Sequence, residues 1–265
     1  MAEIQIVENC APFGSIFDTH AHYDDEKFDG IREDLFSSLS KFGVCGIINN
    51  AVDDVSAARV AKMAKDFPIC YSAFGYHPGD IPKTEPDLSK IESFFDTEKC
   101  VAVGEIGLDY YWTQETRELQ KRWFSAQCDF ANARKLPVIV HDREAHEDTL
   151  CILKDLKPRG VLHCYSGSVE TAKEILKLGM YIGIGGVATF KNAKRVREVI
   201  DAIPLERILL ETDAPYLAPE PYRSKICHSG MIIRVAEKIA EIKNTDVQTV
   251  LSQTKQNAFD LFNIK

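Results

Sequence analysis

The sequence predicts an α/β fold, a (β/α)8 TIM barrel built as a single domain over residues 1–265. Three observations predict it. First, eight short apolar or β-branched runs recur along the chain, each followed by a polar stretch with helical periodicity. Such alternation gives parallel strands joined by crossover helices, and eight repeats close most simply into a barrel. Second, the chain has no linker-like, low-complexity or repeated segment, and 265 residues at 45% hydrophobic composition suit one large core. Third, no G-x-G-x-x-G follows the first strand, which leaves a doubly wound open sheet as the fallback only.

The first predicted strand is SIFDTH (15–20), with a helix at about 30–41. GVCGIINNA (43–51) precedes a helix at 54–66, and ICYSAFGYHP (69–78) precedes one at 87–96. CVAVGEIGL (100–108) leads into the clearest helix, 115–135, where Leu119, Trp123, Ala126 and Phe130 fall at helical spacing among charged residues. PVIVHDR (137–143), GVLHCYSG (160–167), MYIGIGGVA (180–188) and RILLETDAP (207–215) complete the strands. Helices at 145–156, 168–178 and 191–202 lie between them. The Pro-rich stretch 214–228 reads as a long loop, and helices at 229–242 and 246–262 close the chain.

Composition narrows the function. The net charge is −8, from 32 basic and 40 acidic residues. That argues against a protein that coats nucleic acid or binds membrane surfaces. It leaves room for an enzyme that grips a few nucleotides, since divalent cations in a site supply local positive charge. No apolar run reaches the ~18 residues of a membrane span. MAEIQIVENCAPFG has no basic region followed by an apolar one, so no signal or transit peptide is expected and a cytoplasmic location is. Cysteines at 10, 45, 70, 100, 128, 151, 164 and 227 form no C-x-x-C and read as reduced, mostly core thiols. Nothing in the sequence indicates an obligate protein partner.

The polar residues that end the apolar runs carry the functional signal. In SIFDTHAHYD (15–24), His20 and His22 stand two positions apart. Residues i and i+2 of a strand share a face, so both imidazoles aim at one point. Strand four carries Glu105, strand five ends at His141, strand six at His163 and strand eight at Asp213. Singly, each has an ordinary reading. A lone histidine on an apolar strand is usually a satisfied core residue, Glu105 could pair with an arginine, and Asp213 could cap the turn before Pro215. Together they place four of seven histidines and two carboxylates at the level where barrel active sites form. Buried polar groups need partners, and a shared metal centre satisfies all six. Six donors exceed one tetrahedral ion. Two ions sharing a carboxylate, about 3.5–4 Å apart, fit better and are a standard device for hydrolysing phosphate esters.

DTHAHYD, GYHP, VGEIGLDYY, LPVIVHDREA, LHCYSG and LLETDAPYLAP resemble, in order, the signature stretches of the TatD-related metal-dependent deoxyribonucleases of the amidohydrolase-like TIM-barrel superfamily. The match runs from about residue 15 to 225. The resemblance implies a divalent-metal nuclease acting on DNA, most simply a 3′-to-5′ exonuclease on single-stranded DNA. It implies that His20, His22, Glu105 and Asp213 hold one ion. Glu105, His141 and His163 would hold the second, with Glu105 bridging. Asp213 would also orient or deprotonate the attacking water. Two divalent ions are therefore expected, Mg, Mn or Zn, with the imidazoles favouring transition metals.

Further candidates surround these six. Arg143 is placed to meet a phosphate oxygen, for which a planar fork is suited; the alternative is a structural salt bridge. Tyr110 is a candidate sugar or base contact, or rim packing. His77 in GYHPGD lines the site or is a turn histidine before Pro78. Arg223 and Lys225 are candidate phosphate contacts or solvated surface. Ser166 and Gly167 shape the loop after strand six, and Cys164, on the opposite face of a regular strand, packs. Two stretches depart from the family. Many relatives carry H-P-H where this chain has HPGD, and YRGKRNEP where it has YRSKICHSG. His228 in that loop is either an additional ligand or loop packing, with packing the stronger reading.

The main alternative is a hydrolase of a cyclic amide, a lactone or an aminoacyl-tRNA ester. Many two-metal amidohydrolases bridge their ions with a modified lysine on strand four. CVAVGEIGL has no lysine and carries Glu105, which favours the phosphodiesterase branch. A non-catalytic protein with a relict site is disfavoured because all six ligand types are present.

Overall fold

A computed structural model describes residues 11–12, 14–112 and 114–265. Eight strands alternate with helices: β1 (Ile16–Ala21), β2 (Val44–Asn50), β3 (Cys70–Phe74), β4 (Cys100–Asp109), β5 (Val138–Arg143), β6 (Gly160–Leu162), β7 (Tyr181–Ile184) and β8 (Ile208–Leu210). They form one sheet in chain order, every neighbouring pair parallel. The seam between β8 and β1 is drawn together by Asp213 N–H donating to His20 O (2.9 Å) and His22 N–H to Ala214 O (2.7 Å). The predicted barrel is what the chain forms.

The outer layer is α1 (Arg32–Leu39), α2 (Asp54–Asp66), α3 (Arg117–Arg134), α4 (His146–Leu156), α5 (Val169–Lys177), α6 (Lys194–Ala202), α7 (Ile232–Lys243) and α8 (Val247–Phe262). Local chemistry sets their starts. Asp53 and Ser56 form a reciprocal capping box on α2, and Ser168 and Asp246 cap α5 and α8. The helix expected at 87–96 is different: only Glu92–Asp96 is helical, and it is a 3-10 turn. Asp87 Oδ1 accepts the Ser89 N–H, a local bond that competes with helix formation. Phe94 and Phe95 then pack on Phe74 (ring centroids 5.4 and 5.7 Å), which fixes the crossover as a short turn.

Phe17, Ile48, Ala73, Ala102, Ile139, Val161 and Leu209 give one buried residue from each of seven strands. They fill the barrel near the strands' N-terminal ends, where Ala258, Leu261 and Phe262 of α8 cover them. This apolar plug leaves the opposite, C-terminal end to the polar residues. Strands β6, β7 and β8 stop earlier than the apolar runs that predicted them, so His163 and Asp213 lie just past the ladder. Cys164 (φ 45°) and Asp213 (φ 61°) turn the chain there in the left-handed region. Cys164 therefore does not sit on a regular strand. The seven described cysteines are all free; Cys10 lies outside the described residues. No helix among the described residues is long and apolar enough to cross a membrane.

Candidate metal centre

Each of the six predicted donors comes from a different position on the barrel's C-terminal rim. His20 closes on β1 and His22 follows it; Glu105 sits in β4, His141 in β5, His163 one residue past β6 and Asp213 three past β8. Glu105 lies where the β4–β5 register shifts, between Val103 and Ile106. Two residues on, Gly107 (φ 142°) approaches β5 so closely that a Cβ would stand 2.0 Å from His141 O. Only glycine allows β4 and β5 to meet at this level.

The side chains converge. Glu105 is 3% exposed, and its two oxygens face different groups. Oε2 lies 3.3 Å from both His20 Nε2 and His22 Nε2. Those nitrogens are 3.0 Å apart, and Asp213 Oδ1 stands 3.7 and 3.5 Å from them. Oε1 lies 2.9 Å from His141 Nδ1 and 2.8 Å from His163 Nε2, themselves 3.2 Å apart. The His20 and His163 rings stack at 3.9 Å and join the two halves. Donors at about 2.0–2.2 Å from a tetrahedral cation stand about 3.3–3.6 Å apart, close to the spacings of both groups. Buried His20 Nδ1 has no hydrogen bond, so that ring is held only through the cluster. Imidazoles and carboxylates with their acceptor atoms turned inward fit divalent cations.

The electrostatics agree. Burial opposes the charge on Glu105, but the His163, His20 and His77 imidazoles outweigh it and hold the carboxyl well below its usual range. Asp213 is likewise lowered: burial raises it, and His22 and His20 overcome that. Burial disfavours charge on His22, yet hydrogen bonds to Asp213 and Glu105 raise it well above the usual value. His141 rises to about 9, burial being overcome by Asp109 and Glu105. His20 goes the other way, to about 4, through burial and the neighbouring His163. The cluster thus carries fixed carboxylate charge that positive charge must balance.

Of the further candidates, His77 enters the cluster. Its Nε2 is 3.9 Å from Glu105 Oε1, its ring meets His141 edge-on at 4.6 Å, and its Nδ1 pairs with Asp80 Oδ2 at 3.2 Å. Asp80, which stands in the departure from H-P-H, therefore orients His77. Arg143 is exposed, its guanidinium 4.3 Å from the Tyr111 ring centroid. Tyr110 is buried: its hydroxyl donates to Asp148 (2.7 Å) and Arg117 covers its ring at 4.0 Å. That geometry is the rim-packing alternative and leaves the hydroxyl engaged away from the six donors. Arg223 lies over Phe190 at 3.8 Å, and Lys225 is exposed. Gly167 packs on the Tyr165 ring. His228 is buried over Phe42 (5.3 Å) and joins none of the ligand groups among the described residues.

Two acids escaped the sequence reading. Asp109 Oδ2 accepts from His141 Nε2 (3.2 Å), while Oδ1 accepts the N–H groups of Tyr111 and Trp112 (2.9 Å each). Glu211, pushed up to about 8 by burial, accepts the Cys164 N–H and lies 3.8 Å from His163 Nδ1. Both close apolar runs, the same signal that marked the six donors; Asp109 orients His141 from behind, while Glu211 holds the backbone next to His163.

Comparison with known proteins places this geometry. The curated relatives include an uncharacterized metal-dependent hydrolase, YabD, of Bacillus subtilis, 40% identical over 253 residues, covering 94% of this chain and 99% of that one. Another is the uncharacterized metal-dependent hydrolase YcfH of Escherichia coli, 35% identical over 258 residues, covering 94% and 96%. Among solved structures, the TatD homolog YJJV of Escherichia coli superposes with a TM-score of 0.89 at 31% identity, covering 95% of this chain and 99% of that chain. The family described as TatD related DNase matches residues 17–263, a span that contains every donor named above. By its barrel, its convergent rim and this match, the chain belongs to the TatD-related DNase family of metal-dependent hydrolases.

Proposed function

We propose that the protein is a divalent-metal-dependent deoxyribonuclease that shortens single-stranded DNA from its 3′ end with two cations. The observation that carries the reading is the division of Glu105, one oxygen toward His20 and His22, the other toward His141 and His163. His20, His22, Asp213 and Glu105 Oε2 would hold one ion; His141, His163 and Glu105 Oε1 would hold the other. The donor set suits Mg, Mn or Zn. Bound there, such ions supply the Lewis acidity that activates water at neutral pH and offsets charge on the leaving oxygen.

The chain's own residues do the rest. Asp213 Oδ1 faces the two imidazoles, which leaves Oδ2 to orient the attacking water and take its proton. Its lowered pKa keeps it ionised for that role at neutral pH. Arg143 offers a planar fork to the phosphate, and His77, 18% exposed and braced by Asp80, offers a second contact. Asp109 holds His141 in one orientation. Free thiols throughout the described residues suit a reducing cytoplasm.

The test is digestion of 5′-labelled single-stranded DNA by metal-stripped protein after adding Mg²⁺, Mn²⁺ or Zn²⁺, with Asp213→Ala as control. A ladder shortening from the 3′ end, absent in the control, supports the reading. Intact DNA with two ions demonstrably bound refutes it.

A further inference from the structure

The described residues carry four exposed large hydrophobics, Val55, Tyr111, Trp112 and Tyr216, and the three aromatic ones flank the metal centre. Tyr111 and Trp112 are 57% and 68% exposed. They follow Asp109, whose carboxylate holds both of their N–H groups with one oxygen and His141 with the other. The aromatic pair is thus tied to a donor of the centre through one side chain. Their rings meet edge to face at 4.7 Å, and Arg143 lies over both, 4.3 Å from the Tyr111 centroid and 5.5 Å from that of Trp112. On the other side, Tyr216 is 43% exposed, and its N–H donates to Asp213 O (2.8 Å). Its hydroxyl donates to Asp25 (2.6 Å), and Lys27 stands 3.9 Å over its ring.

Large aromatic faces left in water beside a hydrolytic centre cost free energy unless a ligand covers them. Each here is paired with a cation, in a protein whose net charge is −8. An aromatic face for a base with a cation for the adjoining phosphate is how single strands are held without reading sequence. We infer that Trp112, backed by Tyr111 and Arg143, is a stacking platform for an unpaired nucleobase beside the scissile phosphate. Tyr216 and Lys27 serve the flanking nucleotide on the opposite side. The inference rests on the nuclease reading and deepens it: the substrate is held by its bases as well as its backbone, which a paired duplex end cannot offer without fraying.

The test uses the full-length, metal-loaded protein and two oligothymidylates, one ordinary and one whose two 3′-terminal nucleotides are abasic. Wild type is expected to favour the ordinary strand by about 5- to 100-fold, through KM, the range of one base stacked on one aromatic. In Trp112→Ala that preference falls by about fivefold or more, what is left being the flanking base at Tyr216, and Trp112→Phe restores most of it. A readout independent of hydrolysis is tryptophan emission. Trp112 is exposed whereas Trp123, the other tryptophan, is 1% exposed and donates to Thr84 O. A hydrolysis-resistant phosphorothioate strand is expected to quench the emission, and its abasic counterpart is not. Digestion with unchanged preference in Trp112→Ala and no quenching overturns the platform and leaves the nuclease reading standing. Quenching that needs bases, with no digestion under any metal, supports the platform and overturns the nuclease reading.

Discussion

Glu105 is the residue on which both halves of the centre depend, since each of its oxygens faces a separate histidine pair. On the proposed two-ion reading, Glu105→Ala is expected to lower metal content to fewer than one ion per chain by atomic emission and to abolish most of the activity. Arg143 separates from it in kind. Its contacts run to Tyr111 and Trp112 rather than to any of the six donors, so Arg143→Ala should keep both ions. It should raise KM for DNA by about 10- to 100-fold, the range for a hydrogen bond to a charged group. Loss of the ions from Arg143→Ala would assign it to holding the centre instead. Asp109→Asn is the intermediate case. It keeps one acceptor but weakens the grip on His141, and about a 10- to 100-fold loss of metal affinity in a chelator competition is expected.

At the scale of elements, the close approach of β4 and β5 is the feature most sensitive to one atom. Gly107→Ala puts a methyl 2.0 Å from His141 O at a backbone φ of 142°. Overpacking and the strained φ together predict a loss of about 3 kcal/mol or more in chemical denaturation. The loss of activity should be larger than the stability change alone accounts for, because the displaced strand carries His141. This region also marks what the sequence made legible. VGEIGLDYY announced Glu105 because a lone acid inside an apolar run demands a partner. Asp109, in the same stretch, went unread although it too closes the apolar run, because its partners, the His141 ring and two backbone N–H groups, are fixed by geometry that no periodicity encodes. GVLHCYSG and RILLETDAP read as longer strands than β6 and β8, whose ladders end at Leu162 and Leu210, and the turns to positive φ at Cys164 and Asp213 are not marked by any glycine. His77 was legible as a polar residue near the site, but its brace, Asp80, meets it only through the turn that follows Pro78.

Across the whole molecule, the barrel gathers like and unlike charges into one water-poor rim, and that makes metal binding and stability depend on pH together. His22 and His163 are raised, and His141 is raised to about 9, each against the opposing effect of burial and through the carboxylates they face. A cation at these nitrogens must displace their protons. Affinity is therefore expected to climb as pH rises from 6 toward 9, up to about tenfold per unit for each proton displaced, and to level off above His141's value. For protein stripped of metal, the sign for stability is opposite. A histidine whose folded pKa exceeds its unfolded value, about 6.5, contributes stability that is complete below that value. It is lost as pH rises through about 9 for His141. The ion-loaded protein has already given up that proton and should not show the same decline. The melting temperature of loaded minus stripped protein should thus widen steadily between pH 6.5 and 9, and thermal melts of the two preparations across that window measure it. A gap that stays constant or narrows would mean that the ions bind without displacing these protons, and the ligand roles of His22, His141 and His163 would fail together.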